Sequence, residues 1–176
     1  MAESLEEPLY ELVKSFEGFE LRHYAPTIQA RVRTSGRDSG ASSGFRKVAR
    51  YIFGGNLQQS SIAMTAPVSM WEDEESGWLA FTMPSAYSLE TLPQPLDGEV
   101  SLDAQTEKYV AVASFSGRSS ASKVARLEMK LRRALHSHQY QAIGPAVLAI
   151  YDNPWTTLPF LRRNELHIQV NAEKFS

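Results

Sequence analysis

The chain has 176 residues, 43% apolar and 22% charged, with a formal net charge of −2 and no cysteine. That size and balance fit one globular domain with a substantial core, and they exclude a disulfide framework, a thiol nucleophile and thiolate metal ligation. The charge gives no overall footprint for nucleic acid, no apolar run approaches the roughly 20 residues of a membrane span, and the acidic start "MAESLEEPLY" is unlike a signal peptide. A cytosolic protein is expected.

Residues 1–8 read as a flexible tail ahead of one domain over 9–176. "LYELVKSF" (9–16) and "FELRHYAP" (19–26) alternate as two short strands around the turn Glu17-Gly18. In "TIQARVRT" (27–34), Ile28, Ala30 and Val32 alternate with Gln29, Arg31 and Arg33, the pattern of a strand with one wet face. A Gly/Ser-rich loop over 35–43 follows. Phe45, Val48, Ala49 and Ile52 then recur at helical spacing, and Gly54-Gly55 stops that helix. Strands are expected at 61–70 and 77–84, with Pro67 marking an edge or bulge because it has no N–H for a ladder. Residues 85–98 bridge to the second half, which reads as a strand at 108–117, a helix striped by Val124, Leu127, Leu131 and Leu135, and strands at 143–152 and 165–170.

The order strand–helix–strand–strand therefore occurs twice, and the wording repeats with it. "SGRDSGASSGFRKVAR" (35–50) and "SGRSSASKVAR" (116–126) both run from Ser-Gly-Arg through serines to Lys-Val-Ala-Arg. One such unit alone would leave an apolar sheet face exposed; two can bury theirs. The expected fold is α+β: a distorted antiparallel β-barrel of two pseudo-symmetric halves, about 9–84 and 99–171, flanked by two helices. A cleft is expected at the seam of such halves.

"GASSG" (40–44) matches a nucleophile elbow centred on Ser42. That turn works between a strand and a helix of a parallel sheet, and here it is read as a lead-in to the first helix. His136 and His138, two apart on a helix, point to nearly opposite sides and cannot chelate one ion. No zinc-protease, EF-hand, Walker or dinucleotide glycine motif is present. The cations Arg46, Lys47 and Arg50 on the first helix, and Lys123, Arg126, Lys130 and Arg133 on the second, are either a solvated face or partners for the acid groups of a ligand. In "IAMTAPV" (62–68), Met64 suits either core packing or an adaptable apolar surface. "YDNPWTTLPFLRRNE" (151–165) sets Trp155 and Phe160 on a proline-stiffened loop just before Arg162. That combination suits a flat apolar ligand with acid groups, or a loop folded over the end of the sheet.

"YELVKSFEGFELRHYAP", "YIFGGN", "IAMTAPV" and "YDNPWTTLPFLRRNEL" together resemble the SOUL haem-binding protein family over about residues 9–170. The resemblance implies the same two-halved barrel and a cytosolic carrier or buffer of porphyrin: haem b or another tetrapyrrole, held non-covalently, with no catalytic residues. In the family branch with Arg-His-Tyr, the histidine is put forward as an axial iron ligand, which maps to His23; Met64 is a second soft candidate. In other members the porphyrin is thought to rest in an apolar groove by the first helix, which maps to Tyr51 and Phe53 with Arg46, Lys47 and Arg50 as propionate partners. Here Arg50 stands one step earlier than the family's basic residue. Two other readings follow from the same architecture. One is a domain that binds, or hydrolyses, small cationic ligands around Glu165; the other is a module whose groove takes a protein partner's helix.

Overall fold

The computed structural model describes residues 4–35, 41–153 and 156–175. Among these are nine strands and two helices: β1 (Tyr10–Phe16), β2 (Phe19–Tyr24), β3 (Thr27–Thr34), α1 (Ala41–Ile52), β4 (Val68–Glu72), β5 (Gly77–Thr82), β6 (Ser101–Gln105), β7 (Lys108–Phe115), α2 (Ala121–Ser137), β8 (Ala142–Ile150) and β9 (Asn164–Val170). Two 3-10 turns, Pro159–Leu161 and Ala172–Phe175, flank β9. The α+β class is as expected, and the chain divides into two compact units.

The first unit holds Pro26–Thr106 with the tail through Pro8. Its antiparallel sheet runs β4-β5-β3-β6. One face, with Ala30, Val32, Leu79 and Phe81, packs with Val48, Tyr51 and Ile52 of α1. The helix can lie this close because Gly44 has no side chain. A Cβ there would stand 2.8 Å from Thr34 Cγ2 and 3.2 Å from Val32 Cγ1. Gly44, Val48, Tyr51 and Ile52 thus form the inward face, and the expected stripe is rotated: Phe45 is half exposed, touching Phe81 edge-on at 5.4 Å. Gly54, at φ +109°, ends the helix in the left-handed region, and the Gly55 N–H closes on Arg50 O at 2.8 Å.

Two expectations in this unit need correction. α1 begins at Ala41, so Ser42 sits in its first turn and not in a lead-in loop. β4 begins only at Val68, because Pro67 has no N–H to donate to a ladder; residues 61–67 contribute only isolated bridges. β6, unassigned in the sequence reading, pairs with β3. The described end of the tail is tied down, since Glu6 bridges Thr65 and its Oε1 accepts the Ser85 N–H at 2.9 Å.

The second unit joins Leu9–Ala25 to Glu107–Ser176. Its antiparallel sheet runs β1-β2-β7-β9-β8. Leu21, Ala111 and Ile168 lie in register on one face. Val124, Leu131 and Leu135 are the buried stripe of α2, whose first turn is capped by Ser120. The opposite face carries Arg22, Tyr24, Val110, Val112, Glu165 and His167 by the strand alternation. The strand–helix–strand–strand order read from the repeat is present as β3-α1-β4-β5 and β7-α2-β8-β9. Neither sheet closes on itself within its unit.

Candidate functional site

In the first unit, the foot of α1 carries an unusual amount of exposed apolar surface. Phe53 (65%), Leu57 (66%) and Leu96 (61%) are all open to solvent. The loops that carry them are clamped together by main-chain bonds, Leu57 N–H to Gln94 O at 3.0 Å and Leu96 N–H to Gly55 O at 3.2 Å. Asn56, fully buried, donates from Nδ2 to Tyr51 O at 3.1 Å and to Ser60 O at 2.8 Å, and its Oδ1 accepts the Ser60 N–H at 3.2 Å. One amide thereby fixes the turn that displays Phe53 and Leu57.

The cations of α1 differ in their surroundings. Lys47 is paired with Glu99. Arg46 and Arg50 are exposed, and neither has an acidic partner among the described residues. Tyr51, expected in a groove, is instead core. It is buried, its hydroxyl donates to Pro93 O at 2.7 Å, and burial pushes its phenol up to about 12. Met64 packs against the core of the unit. This foot of α1 can accept a flat apolar body carrying acid groups, with Arg46 and Arg50 available to pair them.

In the second unit, His23 lies in β2 on the face shared with Leu21, as the alternation predicts, and its side chain is 27% exposed. Its ring stacks on Tyr109 at 4.4 Å, Tyr109 stacks on Phe175 at 4.1 Å, and Nε2 stands 3.4 Å from Glu107 Oε2. The imidazole is oriented and reachable, but an incoming ligand must displace Glu107. Phe160 is exposed on the Pro159–Leu161 turn, and Arg162 Nε donates to Thr157 O at 2.9 Å. Trp155 lies outside the described residues. His136 is exposed at the end of α2, and His138 is the residue that caps it, packed 4.5 Å from the Phe16 ring.

A buried polar cluster is one the sequence reading only half found. Glu165, buried in β9, accepts from Arg22 at 3.1 and 3.2 Å, from the Tyr151 hydroxyl at 2.5 Å and from His167 Nε2 at 3.0 Å. Arg22 also donates to the Tyr24 hydroxyl at 2.9 Å and lies over the Tyr10 ring at 4.2 Å. Burial pushes the Glu165 carboxyl up, but the hydrogen bonds from His167, Tyr151 and Arg22 outweigh it and hold it down to about 2. Burial likewise lowers His167 from its ordinary value and raises Tyr24 to about 12. Four hydrogen bonds thus converge on one carboxylate, three of them on Oε1 and one on Oε2. Glu165 therefore already holds a cation of its own chain, which weighs against its serving as the acceptor for a cationic ligand. Arg22 and Tyr24, and Glu165 and His167, stand two apart on their strands, so the polar alternation inside otherwise apolar segments was the signal that could have disclosed the cluster.

A family model described as SOUL heme-binding protein matches residues 5–169. Heme-binding protein 2 of Homo sapiens is 34% identical over 114 residues, covering 60% of this chain and 55% of that protein. Heme-binding protein 2 of Mus musculus is 31% identical over a segment of the same coverage. The matched segment thus spans little more than half the length of these relatives. Among solved structures, an uncharacterized conserved protein from Listeria innocua superposes with TM-score 0.68 at 10% identity, covering 87% of this chain and 92% of that one. The EcmrR C-terminal domain gives 0.63 at 10% over 93% and 98%, and a hydrolase from Listeria innocua 0.60 at 9% over 90% and 94%. At that identity the likeness is one of fold alone.

Proposed function

This chain belongs to the SOUL heme-binding protein family, and from that premise we propose that it binds haem b or another tetrapyrrole reversibly and non-covalently, as a cytosolic carrier or buffer with no catalytic step. The observation that carries the reading is the foot of α1, where exposed Phe53, Leu57 and Leu96 adjoin Arg46 and Arg50, two cations without acidic partners among the described residues. The apolar side chains offer a seat for the macrocycle, and the guanidinium groups pair with its propionates. A porphyrin covering about 400 Å² of apolar surface gains on the order of 10 kcal/mol gross at ~25 cal/mol per Å². Ordering and desolvation take back a good part, leaving an affinity suited to uptake and release.

A second placement has its own support, the orientation of His23 by Tyr109. The His23 imidazole would offer a nitrogen ligand to the iron once Nε2 turns from Glu107.

Titrating purified protein with hemin, and separately with iron-free protoporphyrin, tests both. A saturable one-to-one Soret change with both ligands is expected. The double variant Arg46→Ala/Arg50→Ala removes two charge-assisted contacts and should weaken each at least about tenfold. If His23→Ala moves the visible bands of the hemin complex, the iron sits on His23; unchanged bands place it elsewhere. No saturable change with either ligand would overturn the proposal.

A further inference from the structure

We propose that the Pro159–Leu161 turn and its basic surroundings form a docking tip for an anionic lipid surface. Leu158, Phe160 and Leu161 are 58%, 70% and 63% exposed, three large apolar side chains within four consecutive residues. Isolated exposed leucines need no explanation, whereas a cluster on one turn does. The turn is also held in place. Leu161 N–H closes on Leu158 O at 2.9 Å, Gly117 N–H donates to Pro159 O at 2.8 Å, and Asn164 Nδ2 donates to Gly117 O at 3.0 Å.

Those last two bonds bring the 116–118 turn beside it, and with it a basic collar. Arg118 is exposed, Lys123 Nζ reaches Ser116 O at 2.6 Å, and Arg162 and Arg163 follow the apolar residues directly. Arg163 lies over the Tyr151 ring at 3.7 Å. The acids nearby include Asp152, which accepts the Arg163 N–H at 2.6 Å, and buried Glu165, which is held by Arg22 and stands 3.9 Å from Arg163 Nε. Four cations, Arg118, Lys123, Arg162 and Arg163, therefore gather around this turn on a chain whose formal net charge is −2.

An apolar tip inside a cationic collar matches the layered chemistry of a membrane surface: acyl chains beneath, anionic head groups around. A protein partner would need a pocket shaped to the tip, whereas a bilayer accepts it without one. No helix among the described residues is long and apolar enough to cross a membrane, so the association would be peripheral.

The absence of cysteine gives a clean test. The full chain carrying Phe160→Cys is labelled with an environment-sensitive dye and mixed with phosphatidylcholine vesicles, with or without about 30% phosphatidylserine. A blue shift with the anionic vesicles only, reversed at roughly 0.5 M salt, is expected. Dye at Met129→Cys, exposed on α2, should stay in water. In sedimentation with the same anionic vesicles, the unlabelled Leu158→Ser/Leu161→Ser variant should bind at least tenfold less than the parent chain, and Arg118→Glu about fivefold or more. Equal binding to neutral and anionic vesicles, no binding by the parent chain, or undiminished binding by the serine variant would each overturn the proposal.

Discussion

Glu165 and Arg22 lie 143 positions apart in sequence and share two hydrogen bonds inside a sheet face. Arg22 Nε also meets the half-exposed Glu20 at 2.9 Å, but removing either buried partner deprives the other of its two shared hydrogen bonds, so Arg22→Met or Glu165→Leu should each cost about 3 kcal/mol in denaturant unfolding. Replacing both together should cost much less, because the double variant leaves neither buried charge behind. The cluster also sets the acid response. With the Glu165 carboxyl at about 2 in the fold against an ordinary 4.5, its contribution is complete above pH 4.5 and disappears as pH falls toward 2. That contribution is about 3 kcal/mol at ~1.4 kcal/mol per pH unit of displacement. His167, lowered by burial, acts in the same direction: below its ordinary value of 6.5 the unfolded chain takes up a proton that the folded chain refuses. Melting temperature followed from pH 7 to pH 3 should therefore fall, and Glu165→Gln should flatten the lower part of that curve.

Helix α1 shows how one small residue decides what an element presents. Gly44→Ala places a methyl 2.8 Å from Thr34 Cγ2 and should destabilise the protein by about 1–3 kcal/mol, read from its chemical denaturation midpoint. The sequence reading chose Phe45 for the buried stripe because a large aromatic at helical spacing is the stronger hydrophobic signal, and a glycine carries none. Contact distance, invisible in sequence, reversed the choice and drew Tyr51 inward. The α2 stripe was legible because Val124, Leu131 and Leu135 face the sheet with no such competitor. β6 was missed since Leu102 and Ala104 are too few to stand out among polar neighbours. His23 was placed on the correct strand face, but nothing local discloses that Tyr109 and Glu107 would meet it. Asn56 was not singled out at all, yet it holds the turn at the foot of α1. Asn56→Ala should cost about 1–3 kcal/mol of stability and weaken hemin binding with it, which calorimetry and the Soret titration would read separately.

At the scale of the whole molecule, the repeat was legible as an order of elements, while the assignment of strands to units was not. β1 and β2 come early in sequence, yet β2 takes β7 as its second partner across more than eighty residues, a pairing that no neighbouring stretch of chain announces. One unit is nearly continuous, Pro26–Thr106, and the other is completed only by residues that flank it. A fragment of residues 26–106 should therefore show a cooperative thermal transition by circular dichroism. Residues 107–176 alone, lacking β1 and β2, should not, since the β7 edge would be left without its partner strand.

Tyr24 and Lys108 face each other as direct partners at the ends of β2 and β7. Everything between them leaves and re-enters the second unit through one adjacent pair of strand ends, in the manner of a guest housed in a host. A two-residue Asn-Gly turn could close that doorway, giving a miniature protein in which β1, β2, β7, α2, β8 and β9 read as one uninterrupted chain. Conversely, the same doorway is where an unrelated domain with neighbouring termini could be lodged, turning this architecture into a receptacle whose occupant is exchangeable.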